Sequence, residues 1–243
     1  MLLAIVVAQG VGVVLMAESV VRRPGALASL HPHFDLPRPT RRPLLVVGPA
    51  LFAAWALAGF FGSLGPSLVR LVSGSDSVVL SGLALFVLAG AGALSVLVLH
   101  SAPPATVARV GTAGLVVGVS ITLAATAGTS LIGLFLGMVV AGVGFASGFQ
   151  GAIRSVVPLA PPEHRAGVLS VIYLISYLAL SLPAVVAGAV VGRTGSLELT
   201  AVGYGIAVIL LATLAFAGLA GSSRDPARPP CTGFHQNRPL RAG

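Results

Sequence analysis

Charged residues are scarce in this sequence. Only 8% of its 243 residues are Asp, Glu, Lys or Arg, whereas an ordinary soluble domain carries about 25%. Hydrophobic residues make up 56% of the chain, and the mean hydropathy is +1.01. A soluble globule would need more polar surface than this composition supplies, so we expect the solvent of the chain to be a lipid bilayer.

Lysine is absent and cysteine is nearly so. All fourteen basic residues are arginines, which excludes a Walker A lysine and a Schiff-base lysine. The lone cysteine, Cys231, excludes an intrachain disulfide and any zinc or iron–sulfur site built from cysteines. The five histidines are scattered, and His31 and His33, which flank a proline, are interpreted as solvated loop residues. We therefore expect no metal and no cofactor.

Seven largely uncharged stretches approach or reach the ~17–25 residues with which a helix crosses a bilayer. They cover residues 2–17, 44–69, 78–99, 111–127, 131–153, 167–191 and 199–221. These stretches predict an all-α integral membrane protein with seven transmembrane helices. The tail at 222–243 is rich in Pro and Arg with few apolar residues, and we expect it to be disordered.

The arginines are distributed unequally between the two sides of the membrane. One side holds all of them except Arg70 and Arg193, which leaves twelve on that side. Because cytoplasmic loops carry an excess of arginine, this bias predicts an outside N-terminus and a cytoplasmic C-terminus in the plasma membrane. The net charge of +8 would suggest nucleic acid in a soluble protein. Here the arginines are spread over loops between apolar spans, and we expect no nucleic-acid partner.

Two of the spans contain a weak internal repeat. LFAAWALAGFFGSLG at 51–65 and LFLGMVVAGVGFASG at 134–148 match at five of fifteen positions without gaps. Leu51 and Leu134 are 83 residues apart, which corresponds to three spans, so the two copies cross the membrane in opposite directions. Inverted pairs of three-helix units are the plan of several transporter folds.

Small residues recur at intervals of four in two of the spans. Gly144 and Gly148 have this spacing, and so do Ala184, Gly188 and Gly192. Small residues at that spacing let helices approach closely. We therefore expect both sets to pack against neighbouring helices.

Three stretches together resemble a known transporter family. The basic loop ESVVRRPGALASLHPHFDLPRPTRRP precedes six spans, GSLGPSLV lies in the second span, and PPEHRAGVLSVIYLISYLALSLP joins the fifth span to the sixth. On these residues, the chain from 2 to 221 resembles the C-terminal half of a major facilitator superfamily transporter, with the helix that precedes it. The Gly-Asp-Arg-Gly-Arg motif of that family is not matched, because HSAPPATVARVG retains only Arg109 and Gly111.

The resemblance implies both an architecture and a function. Residues 44–221 would form a six-helix bundle of two inverted three-helix repeats, after a first helix at 1–17 and a cytoplasmic inter-half loop at 18–43. The chain would be part of a secondary active transporter that moves a small solute by alternating access. A missing N-terminal half or a second copy would complete it. The sparse charge favours an apolar or drug-like solute, and efflux and proton coupling are left open.

Polar side chains within the spans are candidates for substrate binding, because such groups are costly at membrane depth and usually face a cavity or a partner helix. Ser170, Tyr173, Tyr177 and Ser181 are spaced by three and four and therefore share one face of the sixth span. Its apolar opposite face is expected to contact lipid. Tyrosines can stack on an aromatic solute, and hydrogen bonding between helices is the structural alternative.

Four more candidates lie in the second and fifth spans. Gln150 and Ser147 occur late in the fifth span, and Ser63 and Ser67 surround Pro66 in the second. The alternative role for the serines is to bind backbone carbonyls that are freed near the proline. No Asp or Glu lies within a span, so a carboxylate for proton coupling is expected in the missing half.

Charged residues at the cytoplasmic ends of the spans are candidates for gating. Glu163 and Arg165 lie in the turn that opens the sixth span, where Pro161 and Pro162 are expected to stop the preceding helix. Arg154 and Arg109 lie in loops on the same side. This turn could act as a hinge between helix bundles, and a capped turn with interfacial charges is the alternative.

Two other classes of function remain as alternatives to transport. One is an assembly protein that stays in the membrane without transporting, and the other is an intramembrane enzyme. An enzyme needs nucleophiles, carboxylates or metal ligands gathered at membrane depth. The sequence contains no such grouping, so we expect no catalytic residues.

The unique thiol allows the predicted orientation to be tested. Cys231 lies in the tail that the arginine bias places in the cytoplasm. A membrane-impermeant maleimide should therefore label Cys231 only after lysis, as measured by a gel shift of the tagged chain. Labelling in intact cells would contradict the orientation.

Overall fold

The computed structural model describes residues 7, 9–12 and 37–222 of the chain. Residues 7 and 9–12 are helical and belong to a compact unit of their own. The remainder of the predicted first span, most of the 18–43 loop and the predicted tail from residue 223 lie outside the described residues. From residue 37 to residue 222 the chain is helical and contains no strand.

Six long helices make up the described part of the larger unit. They are α1 (Arg38–Ser73), α2 (Val78–Val98), α3 (Pro104–Ala127), α4 (Leu131–Val156), α5 (Arg165–Thr194) and α6 (Leu197–Ser222). Each is long and apolar enough to cross a membrane. The predicted all-helical architecture is confirmed for these residues, and it is consistent with a multi-pass membrane protein.

Two helices begin earlier than the hydropathy pattern predicts. α1 starts at Arg38 rather than Leu44, with Pro39 as its second residue, where a missing backbone N–H costs nothing. α3 starts at Pro104 rather than Gly111, so Arg109 lies within a helix and not in a loop. In both cases the apolar span is extended by a polar turn that hydropathy alone does not reveal.

The turns between helices have local causes in the sequence. Ser77 and Ser130 cap α2 and α4, because their hydroxyls accept hydrogen bonds from the backbone N–H groups of Leu80 and Gly133. Gly74 and Gly195 end α1 and α5 in the left-handed conformation, with φ of 64° and 67°. The connections between helices at this end of the bundle are therefore short.

Helices α1 and α4 occupy the centre of the bundle. α1 packs against all five other helices, and α4 packs against α1, α2 and α3. The largest side chains of the main core, Phe60 and Phe61, come from α1 and are fully buried. α2 and α5 are the least buried of the six helices, so most of their surface faces away from the bundle.

A glycine seam joins α3 to α4 along most of their length. It consists of Gly111, Gly114, Gly118 and Thr122 on α3 and of Gly148, Gly144, Ala141 and Gly137 on α4, paired in that antiparallel order. A Cβ atom on Gly114 would lie 2.8 Å from the Cα of Gly144, and one on Gly151 would lie 2.7 Å from the backbone N of Ala108. The two helices therefore meet backbone to backbone.

The two predicted sets of small residues have different outcomes. Gly144 and Gly148 lie in the glycine seam, which confirms the expected close packing. Gly188 and Gly192 of α5 have no atom within 4 Å of an added Cβ, so the prediction of close packing there is wrong. The spacing is the same in both helices, but no described helix packs closely against the face of α5 that carries Gly188 and Gly192.

The glycine seam predicts opposite effects for two chemically identical substitutions. Gly144→Ala places a methyl group against the backbone of Leu115 and Gly114 and should destabilise the bundle by about 1–3 kcal/mol. Gly188→Ala adds the same methyl group in open space and should leave stability unchanged or raise it by about 0.5–1 kcal/mol. Thermal unfolding in detergent, followed by circular dichroism, measures both. Equal unfolding midpoints for the two variants would contradict the close backbone contact between α3 and α4.

Candidate functional site

Five aromatic side chains from three helices meet on one side of the bundle. This aromatic cluster contains Trp55 of α1, Phe145 and Phe149 of α4, and Tyr173 and Tyr177 of α5. The Trp55 ring meets both phenylalanine rings edge to face, at centroid distances of 5.4 Å and angles of 85° and 87°. Edge-to-face contact is a favoured geometry for aromatic pairs, so Trp55 is held in a defined orientation.

The cluster follows from helical spacing. Phe145 and Phe149 are four residues apart, as are Tyr173 and Tyr177, so each pair lies on one face of its helix. Tyr173 lies 6.4 Å from Phe149, and Tyr177 lies 6.4 Å from Trp55, both as ring centroids. The two tyrosines thus extend the partly buried aromatic rings of α1 and α4 towards the surface.

The predicted polar stripe of α5 lies on the exposed surface. Tyr173 and Tyr177 are 44% and 62% exposed. The hydroxyls of Ser170 and Ser181 donate to carbonyl oxygens of their own helix, Ala166 at 2.9 Å and Tyr177 at 2.7 Å. Both serines have thus satisfied their donors locally, which leaves the two tyrosines as the groups of this stripe best placed to meet a solute.

The face of α5 opposite the stripe is divided between the bundle and the surface. Near the start of the helix, Val168 and Ile172 are buried in a core with Leu51 of α1 and Val156 of α4, so the expected lipid contact is wrong for this part. In the second half of the helix, Val186 is exposed on the same face.

A polar ladder joins α4 to the end of α2. The Ser147 hydroxyl donates to the Ser95 hydroxyl at 3.3 Å, and Gln150 Nε2 donates to the Val96 carbonyl at 3.4 Å. Arg154 continues the ladder by donating to the carbonyls of Leu99 at 3.2 Å and Ala102 at 2.8 Å. Helix C-terminal carbonyls lack intrahelical partners, so Arg154 caps α2.

Two polar side-chain atoms of α1 and α4 have no hydrogen-bond partner among the described residues. They are the indole Nε1 of Trp55 and the amide Oε1 of Gln150, both buried. Ser147, in contrast, is fully buried and hydrogen-bonded to Ser95. Among the predicted residues of α4, Gln150 is therefore the one that retains a free acceptor.

The serines around Pro66 are engaged within α1. The Ser63 hydroxyl donates to the Gly59 carbonyl at 2.6 Å, and Ser67 accepts a hydrogen bond from Arg70 at 3.3 Å. Pro66 lacks the N–H that would bind the carbonyl of Gly62, and neither of these bonds goes to that carbonyl. The structure therefore does not bring Ser63 and Ser67 together with the candidates on α4 and α5 by hydrogen bonds.

The charged turn before α5 is compact. α4 ends at Val156, ahead of the Pro161–Pro162 pair, and is followed by short 3₁₀ turns at Val157–Leu159 and Pro162–His164. Arg165 Nε donates to the Ala160 carbonyl at 3.2 Å, which ties the first residue of α5 back to this turn. Glu163 is exposed. Arg109 is exposed on α3, so the four gating candidates do not form one network.

Comparison with known proteins gives no relative from which a role could be transferred. No protein-family model, curated protein or solved structure matches the chain. Within residues 7, 9–12 and 37–222, there is no group of three or more His, Cys, Asp or Glu side chains that could hold a metal ion. The function is therefore argued from the aromatic cluster itself.

Sequence reasoning missed the residue at the centre of this site. Nothing in the sequence of its own span marks Trp55 as a functional residue. The pairing of Phe145 with Phe149 at the same spacing as Tyr173 with Tyr177 was the available signal. Spacing within one helix does not show that Trp55 of α1 lies between the two pairs.

The polar ladder predicts that Arg154 holds the end of α2. Arg154→Met keeps an apolar stem but removes both hydrogen bonds to Leu99 and Ala102. Amide exchange around residues 99–102 should become about tenfold faster, since hydrogen bonds to charged groups contribute about 1.5–3 kcal/mol. Hydrogen–deuterium exchange with mass spectrometry measures this.

Arg193→Met is the matched control for this experiment. Arg193 lies in the last turn of α5 and donates no hydrogen bond to another described residue. Its substitution should leave exchange at residues 99–102 unchanged. If Arg154→Met also left that segment unchanged, the capping role would be refuted.

Proposed function

We propose that the chain is the C-terminal part of a secondary transporter of the major facilitator type, which moves a small apolar or weakly polar solute by alternating access. The observation that carries the proposal is the aromatic cluster. Its inner side consists of the partly buried rings of Trp55 and Phe149, and its outer side presents Tyr173 and Tyr177 at the surface. A solute with an aromatic or flat apolar part would stack on these rings.

The chemistry of the cluster favours an uncharged solute. Its five rings carry no charge, and the exposed Tyr173 and Tyr177 offer phenol hydroxyls for hydrogen bonds. Asp76, Glu163 and Glu198, the acidic residues of the described chain, lie at or beside turns rather than in the middle of a helix. A carboxylate that carries a coupled proton would therefore belong to another part of the transporter.

The pattern of helix contacts supports two inverted three-helix repeats, α1–α3 and α4–α6. α1 packs against α5 and α6, the second and third helices of the other repeat. α4 packs in the same way against α2 and α3. Exchanging the repeats thus reproduces the four main contacts between them, which is the plan of a transporter half.

The matched glycines of the sequence repeat add a specific correspondence. A Cβ on Gly59 of α1 would lie 2.5 Å from the Leu180 carbonyl oxygen of α5. A Cβ on Gly142, its partner in the repeat, would meet the Leu88 carbonyl oxygen of α2. Each copy of the repeat thus uses the same glycine to approach the second helix of the other repeat, which supports a common ancestry of the two units.

The exposed faces of α2 and α5 favour completion of the transporter by further helices. These two helices are the least buried, and α5 carries the exposed tyrosines. A missing N-terminal half, or a second copy, would close the solute path against them, with the arginine-rich end in the cytoplasm. The same faces suit a non-transporting assembly protein, which is the second candidate.

The single tryptophan provides a direct test of solute binding. N-phenyl-1-naphthylamine, an uncharged apolar dye, should quench Trp55 fluorescence in the purified chain. Tyr177→Ala should weaken dye binding about fivefold, because it removes one stacking ring from the cluster. It should also reduce dye transport in cells without reducing the amount of protein in the membrane.

Leu178→Ala is the control for this substitution. Leu178 is the next residue on α5 and is 51% exposed, but it is not part of the aromatic cluster. Its loss should leave both binding and transport unchanged. Equal dye affinity of Tyr177→Ala and the wild type would remove the cluster from the solute path. An absence of quenching in the wild type, together with copurification of another membrane chain, would favour the assembly protein.

A further inference from the structure

A cavity lies at the end of the bundle opposite the short turns. Its volume is about 540 Å³, and it is formed where α1 and α3 begin and where α4 and α6 end. Arg42 and Arg109 line it together with Ser155 and several apolar side chains. This basic cavity is separate from the aromatic cluster, since none of its lining residues belongs to that cluster.

The two arginines of the basic cavity differ from other arginines at this end. Arg154 and Arg165 donate hydrogen bonds to backbone carbonyls. Within the described part of the chain, the guanidinium groups of Arg42 and Arg109 donate none. Among the described residues no Asp or Glu lines the cavity, so within this part of the chain the two positive charges face it without a negative partner.

The helix ends contribute little to the net charge of the cavity. α1 and α3 begin beside it and α4 and α6 end beside it, so the partial positive charges of two N-termini are offset by the partial negative charges of two C-termini. The positive charge of the cavity therefore comes from Arg42 and Arg109. Arginine is well suited to phosphate oxygens because it can donate two parallel hydrogen bonds.

The remaining wall of the cavity is apolar. Val46, Val47 and Leu219 line it, and so does Leu45, which is 76% exposed. A free phosphate ion would leave this apolar surface unused. A phospholipid matches both parts, because its phosphate would reach the arginines while its acyl chain covers Leu45.

We propose that the basic cavity binds the headgroup of an anionic phospholipid, with Arg42 and Arg109 as the residues that contact its phosphate. Basic pockets between transmembrane helices are suited to anionic headgroups. This proposal does not depend on the transport function, since it uses no residue of the aromatic cluster. Arg42 and Arg109 would then bind a ligand, in addition to contributing to the orientation of the chain in the membrane.

Native mass spectrometry of the purified full chain tests the proposal. Phosphatidylglycerol should remain bound in preference to phosphatidylcholine of the same acyl chains, and its binding should weaken as salt is added. Arg42→Gln and Arg109→Gln should each weaken phosphatidylglycerol binding about fivefold, and the double variant about thirtyfold. Arg193→Gln, at the other end of the bundle, should bind like the wild type.

Three outcomes would overturn the proposal. The first is equal retention of the two lipids by the wild-type chain, which requires no variant to fold. The second is a double variant that is folded by circular dichroism and still binds phosphatidylglycerol like the wild type. The third is competition by millimolar inorganic phosphate that displaces the lipid completely, because the cavity would then be a site for free phosphate.

Discussion

In a bilayer, apolar side chains gain little by leaving lipid for another helix, so helices associate through close packing of small residues and through interhelical hydrogen bonds. The glycine seam between α3 and α4 is the contact in this chain that uses the first of these means along most of two helices. Because its glycines meet backbone to backbone, the seam fixes the rotation of α4. That rotation directs the polar ladder towards α2 and directs Phe145 and Phe149 towards Trp55.

Fixing α4 also determines which surfaces remain unused. α1 and α4 fill the centre. α1 packs against α5 and α6, and α4 packs against α2 and α3. α2 and α5 touch the centre with one face only, and their other faces stay outside the bundle. The aromatic cluster lies at the boundary between these regions, with Trp55 partly buried and Tyr177 exposed. This boundary is where a solute could bind rigid rings while a partner bundle moves against α5.

The sequence predicted the helices well because hydropathy in spans of this length has few alternative explanations. It predicted the shared face of Tyr173 and Tyr177 because helical spacing is local. It could not predict that Gly144 packs and Gly188 does not, since both have the same spacing and only the neighbouring helix differs. Ser147 illustrates the same limit: its hydroxyl meets Ser95, which is 52 residues away in the chain. Contacts of this kind depend on helix rotation, which composition does not encode.

The arginines show how one compositional bias can serve several physical purposes. A positive-inside bias requires only that arginines lie at one end of the bundle. At that end, Arg154 caps α2 and Arg165 binds the turn before α5, so their charges are paired with helix or turn carbonyls. Arg42 and Arg109 have no such partner within the described chain and face one cavity. Orientation alone would be served by any arrangement of these four residues. The convergence of the two unpaired arginines on an apolar-walled cavity therefore calls for a ligand that is anionic at one end and apolar at the other.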